Sequence, residues 1–323
     1  VLSYILAVTG GLALLVYGAD RFIYGAAGTA NALGVSPLII GLTIVGFGTS
    51  APEILVSSMA ALHGNPGLGF GNAIGSNITN IALVLGSAAL IMPLRVDSQT
   101  LRREFPALLV VSLATFFLVL DGYISRIDSG ILLIGLVIIL LMLAYIASRK
   151  KSGDPLAGEF SEEIPHNISA RKGLIWLIVG LFLLVVSAEI LVWGAVKIAR
   201  AFGVSDLIIG LTIVAIGTSL PELAASVMSA IRNEHDLIIG NIIGSNMFNL
   251  LAVIGIAGII SPGEFPADAL SRDMPIMLGL TIILLLMAFG IRGEARISRY
   301  EGALLLSGFV TYEYILYSVS IGI

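Results

Sequence analysis

The sequence contains no cysteine, only three histidines and few charges: Asp, Glu, Lys and Arg make up 12% of its 323 residues. Without cysteine there are no disulfides, no thiolate metal site and no thiol catalysis. His63, His166 and His235 lie outside the centres of the apolar runs, so zinc and copper lack their usual ligands. A soluble domain carries about a quarter charged residues, and a chain with half that share could not give a globule a wettable surface. Lys and Arg number 17 against 21 Asp and Glu, which leaves no basic excess to hold the phosphates of a nucleic acid. Soluble enzyme, disordered tail and nucleic-acid binder are excluded together.

What is present is apolar: 57% of the residues are hydrophobic. Stretches of about 20 such residues cross a bilayer as helices. Ten are found, near 1–24, 36–62, 70–93, 106–121, 129–148, 173–195, 205–231, 239–260, 274–291 and 301–321. The first has no cleavage site after it and continues into a repeated unit, so it reads as a span rather than a signal peptide. The expected fold class is an all-α polytopic membrane protein embedded in a lipid bilayer. One linker, 149–172, has a soluble composition and is too short to fold alone. Thirteen of the 17 basic residues fall in loops on its side, among them Arg149, Lys150, Lys151, Arg171 and Lys172. By the positive-inside rule the linker is expected in the cytoplasm and both termini outside.

The chain repeats itself at an offset of 169. ALGVSPLIIGLTIVGFGTSAPEILVSS matches AFGVSDLIIGLTIVAIGTSLPELAASV, GNAIGSNITN matches GNIIGSNMFN, and 31 of 60 positions are identical between 31–90 and 200–259 without a gap. The organisation expected is a first five-helix repeat at 1–148, the linker at 149–172, and a second repeat at 173–323. Five spans is an odd number, so the second repeat enters the membrane inverted. Inverted repeats place a substrate site near the midplane, at broken helices where the halves meet.

Glu53 and its repeat partner Glu222 lie well inside spans with no Lys or Arg at comparable depth. Acids there are costly and usually face a cavity; two of them without a basic partner make a site for a cation. Around them stand Thr49 and Ser50, Thr218 and Ser219, and on the following spans Ser76 with Asn80 and Ser245 with Asn249, each pair four residues apart on one helix face. Pro52 and Pro221 donate no backbone hydrogen bond, which frees the carbonyls of Gly48 and Gly217. Such an oxygen-rich pocket suits Ca²⁺, which takes 6–8 oxygens, better than Mg²⁺, which keeps its waters. Two carboxylates balance one Ca²⁺ or two Na⁺, and competition for one charge reservoir gives antiport. Asn77 and Asn246 read as packing beside the ligands, and Glu313, which has no repeat partner, is left out of the site.

GTSAPE with GNAIGSN, and GTSLPE with GNIIGSN, resemble the two α-repeats of the sodium/calcium exchanger family within the cation/calcium antiporter superfamily. The resemblance covers the whole chain and is to a short prokaryotic member. It implies exchange of Na⁺ for Ca²⁺ by alternating access in a prokaryotic inner membrane, with no enzyme activity, no cofactor and no protein partner called for. It implies calcium ligands at Glu53 and Glu222 with the carbonyls of Thr49 and Thr218. Sodium sites would draw on Ser50, Ser76, Ser219 and Ser245, with the carbonyls of Gly46 and Ala215. Asn80 and Asn249 fall where relatives place Asn or Asp; the potassium-dependent branch typically has Asp at the second, so Asn249 argues against potassium cotransport. An H⁺/Ca²⁺ antiporter using the same Glu pair is the alternative, although that branch typically carries GNxxE in place of GTSxPE.

Overall fold

In the computed structural model, residues 2–35, 46–95, 101–149, 159, 161, 164, 168–289 and 296–320 are described. The helices are α1 (Leu2–Ala32), α2 (Gly46–Thr49), α3 (Ala51–Leu62), α4 (Pro66–Ile91), α5 (Leu101–Leu118), α6 (Arg126–Arg149) and α7 (Ala170–Phe202). They continue with α8 (Asp206–Thr218), α9 (Leu220–Arg232), α10 (His235–Ile260), α11 (Ala269–Phe289) and α12 (Arg299–Ser320). Among the described residues, six are long and apolar enough to cross a membrane (α1, α4, α7, α10, α11 and α12), or seven if α8 and α9 are one bent span. The molecule is thus a polytopic helical membrane protein. The span expected at 36–62 is represented by α2 and α3, since 36–45 lie outside the described residues.

Small residues set how the helices meet. α1 and α7, which occupy equal places in the two repeats, run antiparallel: Gly11 abuts Leu191, Gly18 abuts Leu183 and Leu184, and Gly25 abuts Gly173 and Leu177. A membrane offers little hydrophobic drive between helices, so close backbone approach supplies the attraction instead. The ends of α7 are well defined. Ser169 accepts a hydrogen bond from the Lys172 amide at its start, and Gly203, at φ 69°, ends it in the left-handed conformation while its N–H reaches the Ala199 carbonyl.

Two small antiparallel ladders tie the halves together. β1 (Leu94–Arg95) pairs with β4 (Arg296–Ile297), and β2 (Tyr123–Ile124) pairs with β3 (Gly263–Glu264). Each joins a segment of the first repeat to one of the second. α4 and α10 are the most deeply buried of the long helices, enclosed by the others. Both widen into a π-helical turn midway, at Asn80–Leu85 and Asn249–Val253, which are equivalent places in the two repeats. Such turns shift side chains out of the regular helical register and collect at functional sites.

Candidate cation-binding site

The breaks expected from the two prolines are present. Ser50 separates α2 from α3, and Ser219 separates α8 from α9, which are bent by 42°. Pro52 and Pro221 occupy the first turns of α3 and α9, where a missing N–H costs nothing. Glu53 and Glu222 follow them in those first turns, where the positive end of the helix dipole favours negative charge. Both side chains are fully buried, and they stand close enough to repel one another.

The Ser245 hydroxyl donates to Glu222 Oε1 at 3.3 Å. Thr49 Oγ1 lies 3.2 Å from Ser245 Oγ, and the equivalent pair, Thr218 Oγ1 and Ser76 Oγ, lies at 3.4 Å. Asn80 donates to Asn246 Oδ1 at 3.1 Å, and Asn249 donates to Asn77 Oδ1 at 3.0 Å. Among the described residues, the Oδ1 atoms of Asn80 and Asn249 have no hydrogen-bond partner.

The structure therefore brings Glu53, Glu222, Thr49, Thr218, Ser50, Ser219, Ser76, Ser245, Asn80 and Asn249 into one buried neighbourhood. Gly46 opens α2 and Ala215 opens the last turn of α8; the Ala215 carbonyl accepts from the Ser219 amide at 3.1 Å. Seven buried oxygens of these residues lack a hydrogen-bond partner among the described residues: both of Glu53, Oε2 of Glu222, the hydroxyls of Ser50 and Ser219, and Oδ1 of Asn80 and Asn249. Buried polar groups are normally satisfied. Carboxylate, hydroxyl and amide oxygens are the donor types that a hard cation takes. Among the described residues no group of three or more His, Cys, Asp or Glu is assembled, so two charges and several neutral oxygens are what the site offers.

Sequence reasoning missed Asn72 and Asn241. Each stands in the repeated Gly-Asn dipeptide at 71–72 and 240–241, and that identity was the available signal. Thr218 donates to Asn72 Oδ1 at 3.1 Å, and Thr49 donates to Asn241 Oδ1 at 3.3 Å. The two amides thus steer the hydroxyls nearest the carboxylates.

A cavity of about 680 Å³ leads from this site toward the linker. Thr49 and Asn241 line its inner end; Asp20, Glu104, Ile164 and Arg232 also line it. α4 packs tightly against α8: a Cβ on Gly71 would come within 2.5 Å of the Leu207 carbonyl, and one on Gly75 within 2.7 Å of that of Leu211. Outside the site, Asp20 pairs with Arg21 at 2.8 Å and Glu189 lies 3.4 Å from His63.

The profile of the family described as sodium/calcium exchanger protein matches residues 3–147 and again 172–318. The chain belongs to the sodium/calcium exchanger family. One match per repeat agrees with the duplication read from the sequence. The exchanger is 49% identical to the putative antiporter CaxA of Alkalimonas amylolytica over 95% of its own length and 97% of that protein. It is 41% identical to the inner membrane protein YrbG of Escherichia coli, covering 96% of this chain and 95% of the relative. A solved structure of the sodium-calcium exchanger NCX_Mj superposes over 100% of this chain and 99% of that one, with a TM-score of 0.67 and 34% identity. Membership makes the protein a membrane antiporter of cations, calcium among them, and not an enzyme.

Proposed function

We propose that the protein exchanges Na⁺ for Ca²⁺ by alternating access at a midplane site built on Glu53 and Glu222. The observation that carries this is a set of seven buried oxygens, three on the two carboxylates and four on Ser50, Ser219, Asn80 and Asn249, that lack a hydrogen-bond partner among the described residues. One Ca²⁺ or two Na⁺ neutralises the pair. An empty site leaves two buried charges uncompensated, which opposes closure around it. Coupling follows, because the loaded forms are the ones able to pass between states.

In this reading Glu53, Glu222 and the carbonyls of Thr49 and Thr218 hold calcium. Ser50, Ser219, Ser76, Ser245 and the carbonyls of Gly46 and Ala215 contribute to sodium sites, with Asn80 and Asn249 beside them. The chain crosses the inner membrane ten times in two inverted five-helix repeats, 1–148 and 173–323, joined by 149–172 in the cytoplasm, with both termini outside. The cavity on the linker side then opens to the cytoplasm, and the state described is inward-facing. The antiparallel course of α1 and α7 supports the inversion.

The second reading, H⁺/Ca²⁺ exchange, rests on the same carboxylates, since two protons neutralise them as two sodium ions do. Tracer calcium uptake into proteoliposomes separates the two. Uptake that needs an outward sodium gradient and survives a proton ionophore establishes sodium coupling. Uptake that needs a pH gradient and ignores sodium overturns it.

A further inference from the structure

At equal register in the two repeats stand Asn72 with Ser57 and Asn241 with Ser226. In the first repeat the pair is closed. Asn72 Nδ2 donates to Ser57 Oγ at 3.0 Å and reaches the Glu53 carbonyl at 3.4 Å, while Ser57 Oγ donates to the Gly69 carbonyl at 3.2 Å. These bonds clasp α3 to α4 on the side away from the linker. In the second repeat the same residue types are present and the clasp is open: Asn241 Nδ2 and Ser226 Oγ are both buried and, among the described residues, both without a hydrogen-bond partner. Both also line the cavity, together with other residues of α9 and α10. The other end of each Asn is alike in the two repeats, accepting from Thr218 and from Thr49. For these two pairs the asymmetry lies in the bonds made by the Asn amide nitrogen and the Ser hydroxyl.

We propose that these two pairs are alternating latches: Asn72–Ser57 holds the far side shut in the state described, and Asn241–Ser226 closes when that latch opens. The proposal rests on the alternating-access reading and adds to it the positioning residues that keep the two states balanced. Opening one side leaves two buried polar groups unsatisfied, and closing the other satisfies two of the same kind. The exchange is nearly even, so small differences in ion binding decide which side is open. None of the four side chains is assigned to the cation.

The absence of cysteine makes a clean test available. Met59 and Met228 are repeat partners. Met228 lines the cavity and is 48% exposed, and Met59 packs partly buried against the α1, α3 and α7 core. Met59→Cys and Met228→Cys are made singly in the full chain, placed in nanodiscs, and their rates of reaction with a polar maleimide are measured. Cysteine at 228 is expected to react faster than cysteine at 59. Adding Ser57→Ala should speed reaction at 59 and slow it at 228 by about two- to tenfold, the shift that one net hydrogen bond supplies. Adding Ser226→Ala should do the reverse; it breaks no hydrogen bond of the state described, so its result does not hinge on folding. Shifts of the same sign in both backgrounds, or rates unchanged by Ser226→Ala, overturn the latch. Sodium-driven calcium uptake by the single-cysteine parents reports the transport reading separately. Its absence contradicts sodium/calcium exchange, whereas unchanged labelling with uptake intact contradicts only the latch.

Discussion

Asn249 on α10 donates its amide to Asn77 on α4 at 3.0 Å, so the second repeat's candidate ligand is held by a residue of the first. The reciprocal bond from Asn80 to Asn246, at 3.1 Å, holds the first repeat's ligand in the same way. Neither half of the chain could build this site alone. On the proposed site, the candidate ligand oxygens are oriented by their cross-repeat partners before an ion arrives, which reduces the ordering cost of binding.

Asn80→Ala or Asn249→Ala should therefore weaken calcium affinity in two ways, by removing a ligand oxygen and by stranding the partner's Oδ1. The expected loss is about 1–3 kcal/mol, read as a rise in the calcium concentration for half-maximal exchange. Asn77→Ala, which removes no ligand, should give a smaller loss of the same sign. An affinity unchanged in all three variants would contradict the cross-brace.

Glu53→Gln and Glu222→Gln should each abolish calcium exchange while making the ion-free protein more resistant to heat. Neutralising one of two mutually repelling buried carboxylates relieves an uncompensated charge. The variants should also lose the calcium-induced rise in melting temperature that linkage gives the parent. A variant less stable than the parent in ion-free buffer would show that the glutamate is structurally paired instead.

The repeated glycines should respond unequally. A Cβ on Gly75 meets the Leu211 carbonyl at 2.7 Å, whereas one on its repeat partner Gly244 meets nothing within 4 Å. Gly75→Ala should lower thermal stability by about 1–3 kcal/mol, the usual cost of overpacking. Gly244→Ala should leave stability unchanged and still slow exchange, because α10 must close on its neighbours in the alternate state. Equal effects of the two on melting temperature would contradict the one-sided opening.

Glu159, in the linker, accepts a hydrogen bond from the Leu237 amide at 2.6 Å at the start of α10. Its pKa is pushed up to about 7, first by burial and further by Asp236 and Glu234. A carboxyl whose folded-state pKa lies above its unfolded value holds more protons when docked, so its docking weakens as pH rises from about 4.5 through 7. Limited proteolysis of the linker should accelerate over that range, and Glu159→Gln should flatten the profile. Acceleration on lowering the pH would reverse the sign and refute the assignment.

The sequence made the duplication and the acidic pair legible because both are written as identities at a fixed offset. Glu53, Glu222 and the hydroxyl and amide residues around them could be named from residue type and spacing alone. Asn72 and Asn241 could not be given a role that way, since what they do depends on Thr218 and Thr49 of the other repeat. The π-helical turns at Asn80 and Asn249 leave no mark in composition, because local sequence does not specify where a helix widens under packing. The linker reads as soluble, yet Ile164 is buried at the cavity and Ile168 packs over Gly28. Two apolar side chains among polar neighbours were too weak a signal for docking.

The central claim is that calcium and sodium compete for the same two carboxylates. Equilibrium binding of ⁴⁵Ca²⁺ to the purified protein, titrated with Na⁺ at constant ionic strength, tests it most directly. Calcium binding is expected to be saturable, to be displaced steeply by Na⁺ with more than one sodium ion per calcium, and to be lost in Glu53→Gln and in Glu222→Gln. Calcium binding indifferent to sodium, or retained in both variants, would contradict it.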